Sequence, residues 1–170
     1  LALQGSLSNL AGGIMLLLFR PFRVGNYIKT GTEEGIVQEI SIFYTIILSV
    51  DNKRISIPNG TLMNANIINY SAERFRRVDL VYQLSRDEDV EKIKGYLYSC
   101  IQGDELIRMH PEPFVGLSGV GRDYLEFSIR LWVDTESYWT LYNRINEKVA
   151  IKFAKENVLF PSTNIKTIQN

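Results

Sequence analysis

Asn26-Tyr-Ile-Lys-Thr30, Gly35-Ile-Val-Gln-Glu-Ile40, Ile42–Val50, Arg54-Ile-Ser-Ile57 and Asn66-Ile-Ile-Asn-Tyr70 are short apolar runs separated by turn residues. Gly25 and Gly31 bound the first run, and Asp51-Asn52 tolerates the left-handed backbone of a hairpin turn. Pro58-Asn59-Gly60 reads as a tight structural turn in which Gly60 takes a positive φ. Alternation in the longer runs argues for half-buried strands. Five such strands between Val24 and Tyr70 predict a small β-barrel, which deals with exposed edges by closure or by pairing between subunits.

Upstream, Leu1–Phe19 carries no charge and ends in Arg20-Pro-Phe-Arg23. A secretory signal would place its positive charges before the apolar run, not after it. The apolar part, Leu10–Phe19, is too short to cross a hydrocarbon core that needs ~20 residues. Small residues recur at Ala2, Gly5, Ser6, Asn9, Gly12 and Gly13, near one face of a helix, whereas Leu7, Leu10, Ile14, Leu17 and Leu18 point elsewhere. Each glycine costs about 1 kcal/mol of helix propensity against alanine, and either tight packing or a bend would use it. Pro21 ends the helix. Arg20 and Arg23 fit a cytoplasmic membrane boundary. The chain begins at Leu1, which suggests a fragment or a processed chain.

Downstream the period is again two. Val78, Leu80, Tyr82 and Leu84 alternate in one strand, and Leu125, Phe127, Ile129, Leu131 and Val133 in another. Between them Ser85-Arg-Asp-Glu88 has capping-box spacing before Val90, Ile93, Leu97 and Ile101, and Gly103 can end that helix. Leu141, Ile145, Val149 and Phe153 mark a second helix. Strand, helix, strand, strand, helix, strand is a split βαβ, ferredoxin-like sandwich. The expected class is therefore α+β: a helix over 1–23, a five-stranded Sm-like barrel over 24–70, an α/β sandwich over 71–160, and a C-terminal strand over 161–170.

Composition excludes several functions. Hydrophobic residues make up 45% and aromatics 11%, which fits packed domains rather than disorder. A formal net charge of +0 argues against nucleic acid as the main partner. The single cysteine, Cys100, excludes an internal disulfide and reads as a buried thiol. His110 is the only histidine: with Cys100 alone it is a poor basis for a cysteine hydrolase, and it has no companion ligands for a metal. Asp87-Glu-Asp89 suits the first turn of a helix. Gly116-Leu-Ser-Gly-Val-Gly121 lacks the lysine of a phosphate loop and reads as a hairpin loop. No enzyme, cofactor or metal is expected. The rival reading is a soluble, ring-forming Sm-like RNA-binding module, since Arg74, Arg76 and Arg77 form a basic cluster.

Leu1-Ala-Leu-Gln-Gly-Ser-Leu-Ser-Asn-Leu-Ala-Gly-Gly13 and Phe19-Arg-Pro-Phe-Arg-Val-Gly25 resemble the pore helix and helix-to-barrel junction of the MscS-type mechanosensitive channels. Gly31-Thr-Glu-Glu-Gly-Ile-Val37, Ile57-Pro-Asn-Gly60 and Asn66-Ile-Ile-Asn-Tyr-Ser71 match the same family in order and spacing. The resemblance implies a homoheptameric channel of the cell inner membrane, opened by tension acting through membrane lipid. It would pass ions and small solutes after hypo-osmotic shock and bind no nucleic acid. It implies that Leu1 is the second of two pore-constricting leucines and that Gly5 marks a bend. Asn9 would contact a neighbouring subunit, and Gly12 and Gly13 would pack the helix. The family often has alanine where this chain has Gly13.

Overall fold

The computed structural model describes residues 3–161. They form two compact units, the first ending at Arg74 and the second starting at Phe75.

The first unit begins with α1, Gln4–Phe19, which buries Gly12, Gly13 and Leu16. Arg20, in the left-handed conformation, ends the helix and sends its backbone N–H to the Leu16 carbonyl. Five strands follow: β1 Tyr27–Thr30, β2 Glu33–Ile40, β3 Tyr44–Leu48, β4 Arg54–Pro58 and β5 Ile67–Asn69. All ladders are antiparallel and the order is β4-β3-β2-β1-β5, so β4 and β5 are the two edges. Asn52, at φ 67, makes the β3–β4 turn where the sequence places it. Leu16 and Phe22 join Ile28, Val37, Ile47, Ile57 and Leu62 in one core, which ties α1 to the sheet. Burying each such side chain is worth about 1.5–3 kcal/mol.

The expected turn at Pro58-Asn59-Gly60 is corrected by the structure. Pro58 is the last residue of β4, and Asn59-Gly60 open a short helix, α2, Asn59–Met63. Gly60 is not among the positive-φ residues. A proline suits the position before a helix, because its φ near −65° is already helix-compatible and its missing N–H is not needed there.

The second unit runs β6 Phe75–Ser85, α3 Val90–Ile101, β7 Phe114–Val120, β8 Tyr124–Asp134, a 3-10 turn Thr135–Ser137, and α4 Tyr138–Lys155. The sheet order is β6-β8-β7, all antiparallel. This is the split βαβ arrangement, with β8 between the two strands that flank α3 in sequence. Leu80, Leu84, Phe127, Ile129 and Leu131 meet Ile93 and Leu97 of α3 and Leu141, Ile145, Val149 and Phe153 of α4 in a single core. The expected C-terminal strand over 161–170 lies, but for Pro161, outside the described residues.

Two local expectations change. The capping box of Ser85 and Glu88 is not formed, because Ser85 still belongs to β6. Asp89 caps α3 instead, its carboxylate accepting from Lys92 N at 2.8 Å, and Glu88 accepts from Leu159 N at 2.7 Å. Gly116–Val120 lies in β7, around a bulge at Leu117/Gly119, rather than in a loop. Gly103 does follow the end of α3 with φ 73.

Candidate functional site

Of the residues singled out in the first unit, Asn9, Gly12, Gly13, Asn59 and Gly60 meet where α1 crosses α2. Glycine has no Cβ, so two backbones can approach until their main chains touch. A Cβ at Gly12 would stand 2.7 Å from the carbonyl carbon and oxygen of Asn59, and 2.8 Å from Gly60 N. At Gly13 it would overlap the Ile42 carbonyl oxygen and lie 2.7 Å from Asn59 Nδ2. From the other side, a Cβ on Gly60 would meet Ser8 Oγ at 2.8 Å and Asn9 Oδ1 at 2.9 Å. Three glycines thus open one seam. This is the tight-packing use of Gly12 and Gly13.

Polar bonds fix the register of that seam. Asn9 Oδ1 accepts the Gly60 N–H at 3.0 Å, satisfying a donor that the first turn of α2 leaves open. Asn59 is fully buried. Its Nδ2 donates to Ser41 O at 2.8 Å and Ile42 O at 3.1 Å, and its Oδ1 accepts from the buried Thr45 hydroxyl at 2.9 Å. Its backbone N–H donates to Phe43 O at 3.0 Å. A buried amide left unpaired would cost about 1–3 kcal/mol, and here every group has a partner. Thr45 is the residue that sequence reading missed. Its only signal is a hydroxyl within the apolar run of β3.

Gly5 is not part of the seam; it is exposed in the first turn of α1, where a Cβ would meet nothing within 4 Å. Arg20 and Arg23 stand together at the other end of the helix, where they line a cavity of about 360 Å³ with Asn26 and Asn69. Arg20 Nε donates to Leu17 O at 3.1 Å, and the Arg23 backbone N–H donates to Asn26 Oδ1 at 3.0 Å. Leu1 lies outside the described residues. The outer side of α1 exposes Leu7 (66%), Leu18 (69%) and Phe19 (67%), an apolar surface that a solvated helix would not carry. No described helix is long and apolar enough to cross a membrane.

The basic cluster of the rival reading is divided. Arg76 lies over the Tyr138 ring at 3.8 Å, and Arg77 makes a two-toothed pair with Asp79 at 2.6 and 2.9 Å. Cys100 is buried, which pushes its thiol above the usual range, so it is not an activated nucleophile.

Residues 5–72 match the family described as "Mechanosensitive ion channel, beta-domain", and residues 78–160 match "Mechanosensitive ion channel MscS, C-terminal". The chain belongs to the MscS family of mechanosensitive ion channels. Members of this family are channels, not enzymes. An MscS family protein of Synechocystis is 38% identical over 171 residues, covering 99% of this chain and 58% of that protein. The small-conductance mechanosensitive channel of Edwardsiella ictaluri is 36% identical, covering 99% of this chain and 60% of the relative. The closed-state crystal structure of Helicobacter pylori MscS superposes with a TM-score of 0.88 at 27% identity, over 99% of this chain and 68% of that one. The chain therefore spans about three fifths of the length of these MscS sequence relatives. The two matched MscS segments fall on the two compact units, with α1 included in the first.

Proposed function

We infer that this chain forms the pore end and the vestibule wall of a channel that membrane tension opens. The open channel passes ions and small solutes after hypo-osmotic shock. In this reading the full protein sits in the cell inner membrane as a homoheptamer. Leu1 belongs to an apolar ring that closes the pore by dewetting. Gly5 is the place where the pore helix bends, and Asn9 stands near a neighbouring subunit as well as on its own barrel. Arg20 and Arg23 mark the lipid headgroup boundary.

The observation that carries this reading is α1 itself: an uncharged helix with an exposed apolar side, fixed by three glycines to a small barrel. A soluble domain has no use for that exposed side, whereas a membrane or neighbouring pore helices would cover it. The barrel edges β4 and β5 give each copy a place to join the next.

The test is electrical. The full-length parent, expressed in cells lacking their own tension-activated channels, should give stretch-activated currents in excised patches and rescue survival on dilution into water. A parent protein that inserts in the membrane yet stays silent up to the lytic tension would refute the proposal. Light scattering on the detergent-solubilised parent checks the heptamer.

A further inference from the structure

The second unit contains a cavity of about 550 Å³ between the C-terminal turn of α3 and the loop leading to β7. That volume lies in the range of small-molecule sites, roughly 300–1,000 Å³. Its floor is apolar, formed by the buried Ile101 and Ile107. Its walls carry two exposed side chains that favour aromatic or cationic neighbours, Tyr98 (47% exposed) and Met109 (63%). The charged lining is entirely acidic: Asp104, Glu105 and Glu112, with no lysine or arginine.

Asp104 is already committed. Its carboxylate accepts from Arg144, from Lys148 and from the Leu106 N–H, and its side chain is 1% exposed. Glu105 and Glu112 are exposed and carry no hydrogen bond or ion pair among the described residues. An apolar cleft lined by two uncompensated carboxylates and a tyrosine suits one ligand chemistry. We propose that this cavity binds a small organic cation, an aromatic or branched alkyl body bearing one ammonium group. The body sits on Ile101 and Ile107, and the ammonium lies between Tyr98 and the carboxylates of Glu105 and Glu112. The site lies in the second unit alone, so it stands independently of the channel reading.

Calorimetric titration of the 170-residue chain with three matched probes tests this. Phenylpropyltrimethylammonium should bind once per chain, phenylpropanol more weakly, and phenylpropionate least of all. Glu105→Gln together with Glu112→Gln should weaken the cation about three- to tenfold, the scale expected for two exposed charge contacts. The affinity for phenylpropanol should not change, which shows that the pocket is still folded. Raised salt should weaken the wild-type interaction by screening. Equal affinity for cation and anion, an unchanged double variant, or no heat with any probe would overturn the assignment. Binding seen only after dilution to monomers would give the groove to a second copy of the chain, and overturn it too.

Discussion

Asn9 Oδ1 and Gly60 N, 51 positions apart in sequence, share a 3.0 Å hydrogen bond that joins α1 to the first turn of α2. Removing it leaves the N–H of the buried Gly60 without its partner. Asn9→Ala should destabilise the chain by about 0.5–1.5 kcal/mol. Gly60→Ala should also destabilise it, because the new methyl pushes against Ser8 Oγ and Asn9 Oδ1. The two costs should not add, since each change breaks the same bond. Thermal unfolding of both single variants and the double variant measures the coupling. Strict additivity would mean that the bond contributes nothing.

Glycine-to-alanine changes in α1 should have opposite signs. At Gly5 the added methyl meets open space, so the helix gains up to about 1 kcal/mol of propensity. At Gly13 the same methyl overlaps the Ile42 carbonyl oxygen, a backbone atom that cannot rotate away. The overpacking cost of about 1–3 kcal/mol should exceed the propensity gain. Denaturant midpoints of Gly5→Ala and Gly13→Ala, compared with wild type, read both signs directly.

Asp104 should set part of the acid limb of stability. Burial raises its carboxyl, but the hydrogen bond from Lys148, the Leu106 N–H and the charges of Lys148 and Arg144 outweigh burial and hold it below its ordinary value. A carboxyl lowered in the folded state contributes stability above the unfolded value near ~3.9, and loses it as pH falls through the folded value. Asp104→Asn should cost about 1–3 kcal/mol at neutral pH, less than a fully buried pair because Arg144 and Lys148 are partly exposed. Urea unfolding at pH 7 and again near pH 3 should show the gap between variant and wild type closing in acid.

Under the channel proposal, Leu1→Ser in the full-length parent should lower the tension needed for opening. A ring of hydroxyls hydrates more readily than a ring of leucines. Each copy loses an apolar contribution of ~1–3 kcal/mol, and symmetry repeats the loss in every subunit. Patch recordings under suction give the threshold, and an unchanged threshold would remove Leu1 from the gate.

The second unit was the more legible in sequence. Its strands and helices bury one face each, so Leu125–Val133 and Leu141–Phe153 show periods of two and of four. In the first unit the strands were equally visible, but Asn59 was not. Pro-Asn-Gly is ambiguous between a turn and a helix start. The choice depends on Ser41, Ile42 and Thr45, whose groups bind the Asn59 side chain across the sheet and leave no local trace. The small-residue face of α1 was legible, with packing and a bend both open as its use; Gly12 and Gly13 pack closely, whereas Gly5 on the same face meets nothing within 4 Å. Which neighbour they meet is a tertiary fact. Asp89 rather than Ser85 caps α3 for a similar reason: β6 pairs with β8 along its full length, and that ladder holds Ser85 in the strand.

The three glycines at the crossing of α1 and α2 have a mechanical consequence. Where side chains separate two helices, rotamer changes let one slide over the other. Here main chain rests on main chain, and Asn59 bolts the same spot to β3 through Thr45. Such a joint has no side chain in it that could change rotamer to let the helices slide. A displacement of α1 at Gly12 or Gly13 is therefore met directly by main chain of α2 and of the segment before β3, whereas Gly5 lies outside the joint, one turn before Asn9.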